Sequence, residues 1–190
     1  MCAMTREISA GGMVVREIDG VWHVALIEPQ KEDSREKDPS SSSSKDSQPS
    51  KTSHKRSRAV LCLPKGLVDA GEKAEAAAIR EVFEETGICA EAVTKLVDIK
   101  YVYVRTWGDG QRVFKIVSFY LMKYLSGDIG NISPEMRIEV ERALWIPLAD
   151  ANKNMAYGGE RKVVLQAREH LAEHGLTAKE NSSRRQKRAP

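Results

Sequence analysis

The sequence lacks any long apolar run. No stretch of its 190 residues approaches the ~20 consecutive apolar residues that a membrane-spanning helix needs. The first residues, MCAMTREISAGG, contain no apolar core of the length found in signal peptides. Cysteine is also scarce, and the odd number and irregular spacing of Cys2, Cys62 and Cys89 fit neither a disulfide framework nor a zinc site. These absences predict a cytoplasmic protein with reduced thiols and no membrane partner.

A strong net charge is absent as well. The formal charge is +3 at pH 7, and the basic run RRQKR close to the C-terminus can account for this surplus, so nucleic acid is not expected as a partner. Hydrophobic residues make up 41% of the chain, which is enough for one globular domain. Composition leaves the oligomeric state open.

Residues 30–58 contain no large apolar residue. Such a segment cannot bury enough surface to offset the entropy lost on ordering, so disorder is expected there. The strands before it are too few to form a core of their own, and long loops cost little additional closure entropy. The sequence therefore predicts one domain over residues 1–175, with a disordered serine-rich loop insertion at 30–58 and a disordered basic tail at 176–190.

Apolar patterns predict strands on both sides of a central helix. The predicted strands cover 13–15, 21–27, 93–104, 112–125 and 143–146, with a turn at Glu17–Gly20 and a hairpin at Trp107–Gly110. The predicted helices cover 73–86, ending at Gly87, and 160–174. This arrangement indicates a mixed α/β or α+β sandwich.

The helix at 73–86 concentrates acidic residues on one side. With ~100° between successive residues, three carboxylates fall within a single arc: Glu81, Glu84 and Glu85. Three apolar residues fall on the opposite side and are expected in the core: Ile79, Val82 and Phe83. Because like charges at this spacing repel one another, a hard divalent cation such as magnesium is the expected partner of the arc.

The loop before this helix suits the same purpose. Gly66 and Gly71 permit backbone conformations that bring polar groups close to a metal or a phosphate. Arg80 lies beside the acidic arc, where pairing with Glu72 would fix the loop against the helix. Lys65 precedes the loop and offers a positive charge to a substrate phosphate.

The segment 66–88, GLVDAGEKAEAAAIREVFEETGI, resembles the signature of the Nudix hydrolase family. That signature reads glycine, five residues, glutamate, seven residues, arginine and glutamate, an aliphatic residue, any residue, two glutamates, any residue, glycine and an aliphatic residue. Every fixed position is matched: Gly66, Glu72, Arg80, Glu81, Val82, Glu84, Glu85, Gly87 and Ile88. We call residues 66–88 the Nudix-like box. The flanking runs SAGGMVVRE, LPKG and WIPL are similar to the framework of the same family.

This resemblance implies a fold and a metal-dependent chemistry. The implied fold is a Nudix-type α/β/α sandwich with a mixed sheet, in which the box forms a loop, a helix and a loop. Carried over by position, Glu81, Glu84 and Glu85 bind Mg²⁺, or Mn²⁺, with the Gly66 carbonyl as a further ligand. Arg80 supports the catalytic carboxylates. Within the box, Glu81 is the first candidate for the general base.

The same resemblance extends to the substrate. Glu139 lies where dinucleoside polyphosphate hydrolases place an additional acidic metal ligand, with Glu141 as a rival. A nucleoside polyphosphate is the implied substrate, with Lys65, Lys115 and Tyr157 as binding residues. Arg112 is an alternative contact for outer phosphates, and Tyr101 and Tyr103 are alternatives for base stacking.

Three functions remain open at this point. The first is asymmetrical cleavage of a bis(5′-nucleosyl) tetraphosphate to ATP and AMP, which LPKG and the EVERALW segment favour. The second is a housecleaning pyrophosphohydrolase of nucleoside triphosphates. The third is a catalytically silent Nudix-fold module that binds RNA or a protein partner, although the complete acidic set argues against it.

Overall fold

The N-terminal hairpin is longer than the sequence predicts. The structure, a computed structural model, describes residues 5–30, 60–105, 110–155 and 157–176. Strand β1 (Thr5–Ile18) pairs antiparallel with β2 (Val21–Pro29). Asp19 and Gly20 join them with φ values of 50° and 76°, the left-handed backbone that tight hairpin turns require. The predicted hairpin is therefore confirmed, with β1 extended toward the N-terminus.

The helix of the Nudix-like box forms as predicted. Helix α1 (Ala74–Thr86) ends at Gly87, which has a φ of 79° and donates its N–H to the carbonyl of Phe83 at 2.8 Å. Only a glycine adopts this conformation without a steric penalty. Before the helix, the three-residue strand β3 (Lys65–Leu67) pairs with β1. The sequence does not predict β3, because three residues are too few to show an alternating pattern.

The rest of the sheet comes from three further strands. Strands β4 (Ile88–Val104) and β5 (Arg112–Gly127) form a long antiparallel hairpin, and β6 (Val140–Pro147) follows a short 3₁₀ turn at Glu135–Ile138. The strand order is β4-β5-β1-β2-β6, with β3 attached to β1 and with β1 and β5 parallel. The predicted mixed sheet is confirmed.

Helices cover both faces of this sheet. Helix α1 packs on one face against Ala10, Val14 and Met122. Helices α2 (Leu148–Asn154) and α3 (Gly158–His174) cover the other face, where their residues join a core containing Met13, Leu26 and Phe119. The predicted α/β/α sandwich is thereby confirmed. Helix α2, which immediately follows β6, was not predicted.

The middle of the sheet opens where β1 and β2 diverge. They pair only from Val15 to Ile18 on the β1 side, and the segment 61–67 then fills the gap between them. On one side of the gap Cys62 exchanges two backbone hydrogen bonds with Ile27, and on the other Gly11 pairs with Lys65. A Cβ atom on Gly11 would lie 2.5 Å from the carbonyl oxygen of Pro64, so glycine permits this close approach.

One expected feature of α1 is wrong. The helical pattern predicts Phe83 in the core, but Phe83 is 52% exposed, whereas Glu81 and Glu85 are buried. The buried apolar residues of α1 are instead small: Ala77, Ala78 and Val82. A Cβ on Gly12 would lie only 2.4 Å from Val82. The helix and the sheet are therefore too close for a phenylalanine ring between them.

Several predictions concern residues outside the described ranges. They include the insertion apart from Gln30, the hairpin residues 106–109, the tail beyond residue 176 and the thiol of Cys2. Of the other cysteines, Cys62 and Cys89 are free. No helix within the described ranges is long and apolar enough to cross a membrane.

Candidate active site

The acidic residues of α1 point toward the gap between β1 and β2. Glu81 and Glu85 are only 6% and 5% exposed, while the side chain of Glu84 is 34% exposed. They occupy neighbouring turns of α1, so the two buried carboxylates lie on the same side of the helix. The helix thus carries two buried carboxylates and a third at the solvent boundary.

Gly66 and Lys65 form the opposite wall of this acidic site. A Cβ atom on Gly66 would lie 2.1 Å from the carboxylate of Glu81, so only glycine leaves room for that carboxylate. The backbone N–H of Lys65 donates to Oε2 of Glu85 at 2.8 Å. Strand β3 therefore holds one carboxylate by a hydrogen bond and accommodates the other by lacking a side chain.

Arg80 connects the loop of the box to the helix. Its guanidinium donates to Glu72 at 3.0 and 3.1 Å, to Glu81 at 2.7 Å and to Glu84 at 3.0 Å. It also donates to the carbonyl of Leu67 at 2.9 Å. The pairing with Glu72 that the sequence predicts is present. Hydrogen bonds from Arg80 hold the pKa of Glu72 below its usual value, and that carboxylate is the largest cause of the raised pKa of Arg80.

Burial raises the pKa values of the two buried carboxylates, Glu81 and Glu85. It raises the pKa of Glu85 to about 8, opposed by Lys65 and reinforced by the negative charges of Glu81 and Glu139. Burial likewise raises the pKa of Glu81, with Arg80 opposing and Glu84 and Glu139 reinforcing the shift. Glu139, an exposed residue before β6, therefore acts electrostatically on both carboxylates of the box.

A divalent cation suits these residues, although the side chains as placed do not enclose one. Among the described residues, no group of three or more His, Cys, Asp or Glu side chains is arranged to hold a metal ion, and Arg80 engages two of the three carboxylates. The fit rests on two observations. The donors are hard carboxylate oxygens beside a glycine, and their charges raise one another's pKa, which a nearby cation would reverse.

Lys65 does not point into open space as its predicted role in phosphate binding would suggest. Its Nζ lies 3.5 Å from Oε1 of Glu160, a residue of α3 that is 3% exposed. The second oxygen of Glu160 accepts the N–H of Leu63 at 2.9 Å. Burial would lower the pKa of Lys65, but the negative charges of Glu160 and Glu85 help to raise it above its usual value.

A polar row crosses the sheet beside the acidic site. Tyr101, Lys115 and Glu7 are register partners on β4, β5 and β1 and so share one face. Glu7 accepts hydrogen bonds from Tyr103 and Arg105, both at 2.9 Å, and lies 3.7 Å from Nζ of Lys115. Burial lowers the pKa of Lys115, as does the charge of Lys65, while Glu7 and Glu81 oppose this shift. Lys115 is thus the member of the polar row on which the charge of Glu81 in the box also acts.

Aromatic side chains flank this row. The ring centroids of Tyr101 and Tyr103 are 6.2 Å apart. Tyr157, directly before α3, is 56% exposed, and a Cβ atom on Gly159 of α3 would lie 3.0 Å from Ile99, two residues before Tyr101 on β4. The predicted substrate residues Lys115 and Tyr157 therefore both lie on the α3 side of the sheet, close to Tyr101.

Sequence reasoning did not identify Glu7, Arg105 or Glu160. A signal for Glu160 was present, because it lies on the apolar stripe of α3 that Val163, Val164 and Ala167 define, where a charged residue requires a partner. No such signal marked Glu7 or Arg105, since charged residues near strand ends are common at protein surfaces. Their proximity depends on the parallel pairing of β1 with β5.

Comparisons with known proteins agree with this architecture. The family model of the NUDIX domain matches residues 46–167. A Mycobacterium tuberculosis protein named mutator protein MutT4 is 34% identical over 160 residues, which cover 83% of this chain and 52% of that protein. An 8-oxo-(d)GTP phosphatase of Mycolicibacterium smegmatis is 33% identical over 102 residues, covering 54% of this chain and 28% of that protein. The chain thus spans about half or less of the length of these relatives.

Among solved structures, an Ap4A hydrolase from C. elegans, crystallised as a binary complex, superimposes with a TM-score of 0.57. The two sequences are 23% identical, and the match covers 87% of this chain and 98% of that one. At this level of identity, the likeness concerns the fold alone.

Proposed function

Because the chain belongs to the Nudix domain family, we propose that it is a hydrolase that cleaves a diphosphate linkage in a nucleotide-type substrate. The observation that carries the proposal is the pair of buried carboxylates, Glu81 and Glu85, facing Gly66. Burying two like charges side by side is costly, so a protein that needed only stability would not be expected to keep them. A divalent cation would offset the repulsion between these carboxylates, and it would in turn bind the polyphosphate of a substrate.

The metal is proposed to be Mg²⁺, with Mn²⁺ as an alternative. Glu81, Glu84 and Glu85 would hold it, with the Gly66 carbonyl and Glu139 as further oxygen donors. When bound, such a cation neutralises diphosphate charge and makes water a better nucleophile at neutral pH. These donors are all hard oxygens, which is the set that magnesium prefers.

The chain's own residues supply positioning and a proton acceptor. Arg80 binds Glu72 and the carbonyl of Leu67 at the same time, so it keeps the loop that contains Gly66 beside α1. Glu81 is the proposed general base. Burial raises its pKa toward the range in which a carboxylate accepts a proton effectively near neutral pH.

The proposed substrate is a bis(5′-nucleosyl) tetraphosphate, cleaved asymmetrically to ATP and AMP. Lys115 can contact phosphates that extend beyond the box, because it lies beside Tyr101 in the sheet and the charge of Glu81 acts on it. Tyr157 and Tyr101 offer ring faces to a nucleobase. A long polyphosphate can use both the box and the polar row, so binding energy far from the reacting phosphorus orients the linkage that is cleaved.

A second candidate is a nucleoside triphosphate, ordinary or oxidised. The names of the two bacterial relatives, a mutator protein and an 8-oxo-(d)GTP phosphatase, favour it. The carboxylate site would be the same in both cases. The two candidates differ in the role of the polar row, which would bind the second nucleoside of a tetraphosphate but would not contact a triphosphate.

A substrate panel separates these candidates. Diadenosine tetraphosphate, dGTP and 8-oxo-dGTP are incubated with the full chain and Mg²⁺, and the products are resolved by anion exchange. We expect the highest kcat/KM for diadenosine tetraphosphate, with ATP and AMP as products. A higher value for a triphosphate would select the second candidate, and two ADP molecules would exclude asymmetric cleavage. Running the reaction in oxygen-18 water identifies the attacked phosphorus.

The same panel tests whether the chain is an enzyme at all. Turnover that requires Mg²⁺ and stops with EDTA supports a hydrolase. If no substrate is turned over although metal and nucleotide bind, the chain is a silent binding module, and the catalytic proposal is wrong.

A further inference from the structure

Lys65 links two buried carboxylates that lie on opposite sides of the sheet. Its main-chain N–H donates to Glu85 on α1 at 2.8 Å, and its side-chain Nζ lies 3.5 Å from Glu160 on α3. Helix α1 packs on one face and α3 on the other. The lysine at the start of β3 therefore contacts both Glu85 and Glu160.

Glu160 is placed to hold Lys65 rather than to meet a substrate. It is 3% exposed, and each of its oxygens has a partner, the N–H of Leu63 at 2.9 Å and the ammonium of Lys65. Both partners belong to the segment that fills the gap between β1 and β2. Glu160 thus fixes the backbone at Leu63 and the side chain at Lys65, on either side of Pro64.

The position of Lys65 between Glu85 and Glu160 affects the electrostatics of the box. One lysine is shared by two buried carboxylates, and its charge acts on both Glu85 and Glu160. If Glu160 lost its charge, the whole field of the lysine would act on Glu85 and would oppose a cation bound there. With Glu160 present, the lysine is largely neutralised from the α3 side.

We infer that Glu160 and Lys65 are positioning residues for Glu85: the main-chain N–H of Lys65 holds the Glu85 carboxylate, and Glu160 neutralises the lysine side chain so that its positive charge does not repel a divalent cation bound at Glu85. This inference rests on the proposed function, because it assumes that Glu85 binds a metal. It assigns Lys65 to the support of the box instead of to a substrate phosphate. Glu160 becomes a determinant of metal affinity although it lies on the helix across the sheet.

The experiment is a double-mutant cycle read by metal binding. Calorimetric titration with Mn²⁺ alone is performed on the wild type, Glu160→Gln, Lys65→Met and the double variant. Glutamine retains an oxygen for the N–H of Leu63, so the fold should survive, and thermal melting checks this. We expect Glu160→Gln to weaken Mn²⁺ binding by about tenfold, the scale reported for residues that orient metal ligands. The double variant should recover most of the wild-type affinity, because the uncompensated lysine is gone.

Controls and a second readout keep the result specific. Glu169→Gln and Lys162→Met change the same residue types at exposed positions of α3 and should leave Mn²⁺ affinity unchanged. The KM for the preferred substrate should also stay near the wild-type value in the double variant. If that KM rises about tenfold while Mn²⁺ affinity is unchanged in every variant, Lys65 holds a phosphate and the inference is overturned. Equal Mn²⁺ affinity in Glu160→Gln and wild type would overturn it as well.

Mn²⁺ binding and turnover of the wild type distinguish a failure of the proposed function from a failure of this inference. A wild-type chain that binds no Mn²⁺ would overturn the metal-dependent function, and this inference with it. A wild type that binds Mn²⁺ and turns over substrate, with no response to Glu160→Gln, would overturn the inference alone.

Discussion

Replacing Glu85 by glutamine should stabilise the metal-free protein at alkaline pH. Burial raises the pKa of Glu85 to about 8 from an ordinary value of 4.5. Between these values the folded chain retains a proton that the unfolded chain releases, so the free energy of unfolding falls as pH rises from about 4.5 to about 8. Below pH 4.5 both forms are protonated and the effect is absent. Glutamine does not titrate, so the variant lacks this loss.

The size of the effect follows from the shift. Each pKa unit corresponds to about 1.36 kcal/mol, which gives an upper bound of about 4 kcal/mol at pH 8. The shift already includes the attraction of Lys65 for the carboxylate, and relaxation and water penetration around a buried charge reduce the bound further. An increase of about 2 to 3 kcal/mol in the free energy of unfolding at pH 8 is therefore expected for Glu85→Gln, falling to less than about 1 kcal/mol at pH 5. Glutamine retains an oxygen that can accept the N–H of Lys65.

Urea unfolding at pH 5, 6, 7 and 8 in the presence of EDTA measures this difference. A weaker pH dependence should persist in the variant, because the pKa values of Glu81 and Glu160 are also raised by burial. Glu75→Gln, at an exposed position of α1, serves as the control and should change stability by less than about 1 kcal/mol. A Glu85→Gln variant that is less stable than wild type at pH 8 would refute the reasoning. It would mean that attraction to Lys65 outweighs the cost of burial.

The other predictions concern the box and the insertion. Glu84→Gln should lower kcat by more than about 100-fold, beyond the 10–100-fold typical of residues that only orient ligands, with an unchanged circular dichroism spectrum; near wild-type kcat at saturating Mg²⁺ would exclude a ligand role. Gly66→Ala should abolish most turnover, because the methyl group displaces the facing carboxylate, while Gly158→Ala, whose Cβ would meet nothing within 4 Å, should remain active. Deleting residues 31–57 should change the unfolding free energy by no more than about 1 kcal/mol, since a backbone bridge holds the flanking strands together. An inactive or unfolded deletion product would contradict this.

The parts of the site that lie on one helix could be predicted from the sequence. Glu81, Glu84 and Glu85 are separated by three and four residues, and helical geometry alone brings such residues together. The pairing of Arg80 with Glu72 was accessible for a similar reason, because only a short loop and two helical turns separate them.

The partners of Lys65 and Lys115 could not be predicted in the same way. Glu160 reaches Lys65 from a helix on the other side of the sheet, and Glu7 reaches Lys115 through a parallel pairing over about a hundred residues of sequence. The position of Phe83 was predicted wrongly because the hydrophobic pattern of a helix gives its apolar side but not its distance from the sheet. The small residues of α1 and the glycines of β1 determine that distance.

The parallel pairing of β1 with β5 has a consequence for the order of folding. Strand β1 is the first element within the described ranges, but its eleven register partners on β5 lie between Val113 and Lys123. During synthesis, β1 and the helix of the box emerge well before the strand that completes their sheet. Contacts over such a separation form slowly, and domains generally become stable only as whole units. The acidic site should therefore stay unformed on the ribosome until β5 has been translated, so a nascent chain stalled before residue 112 should bind no metal.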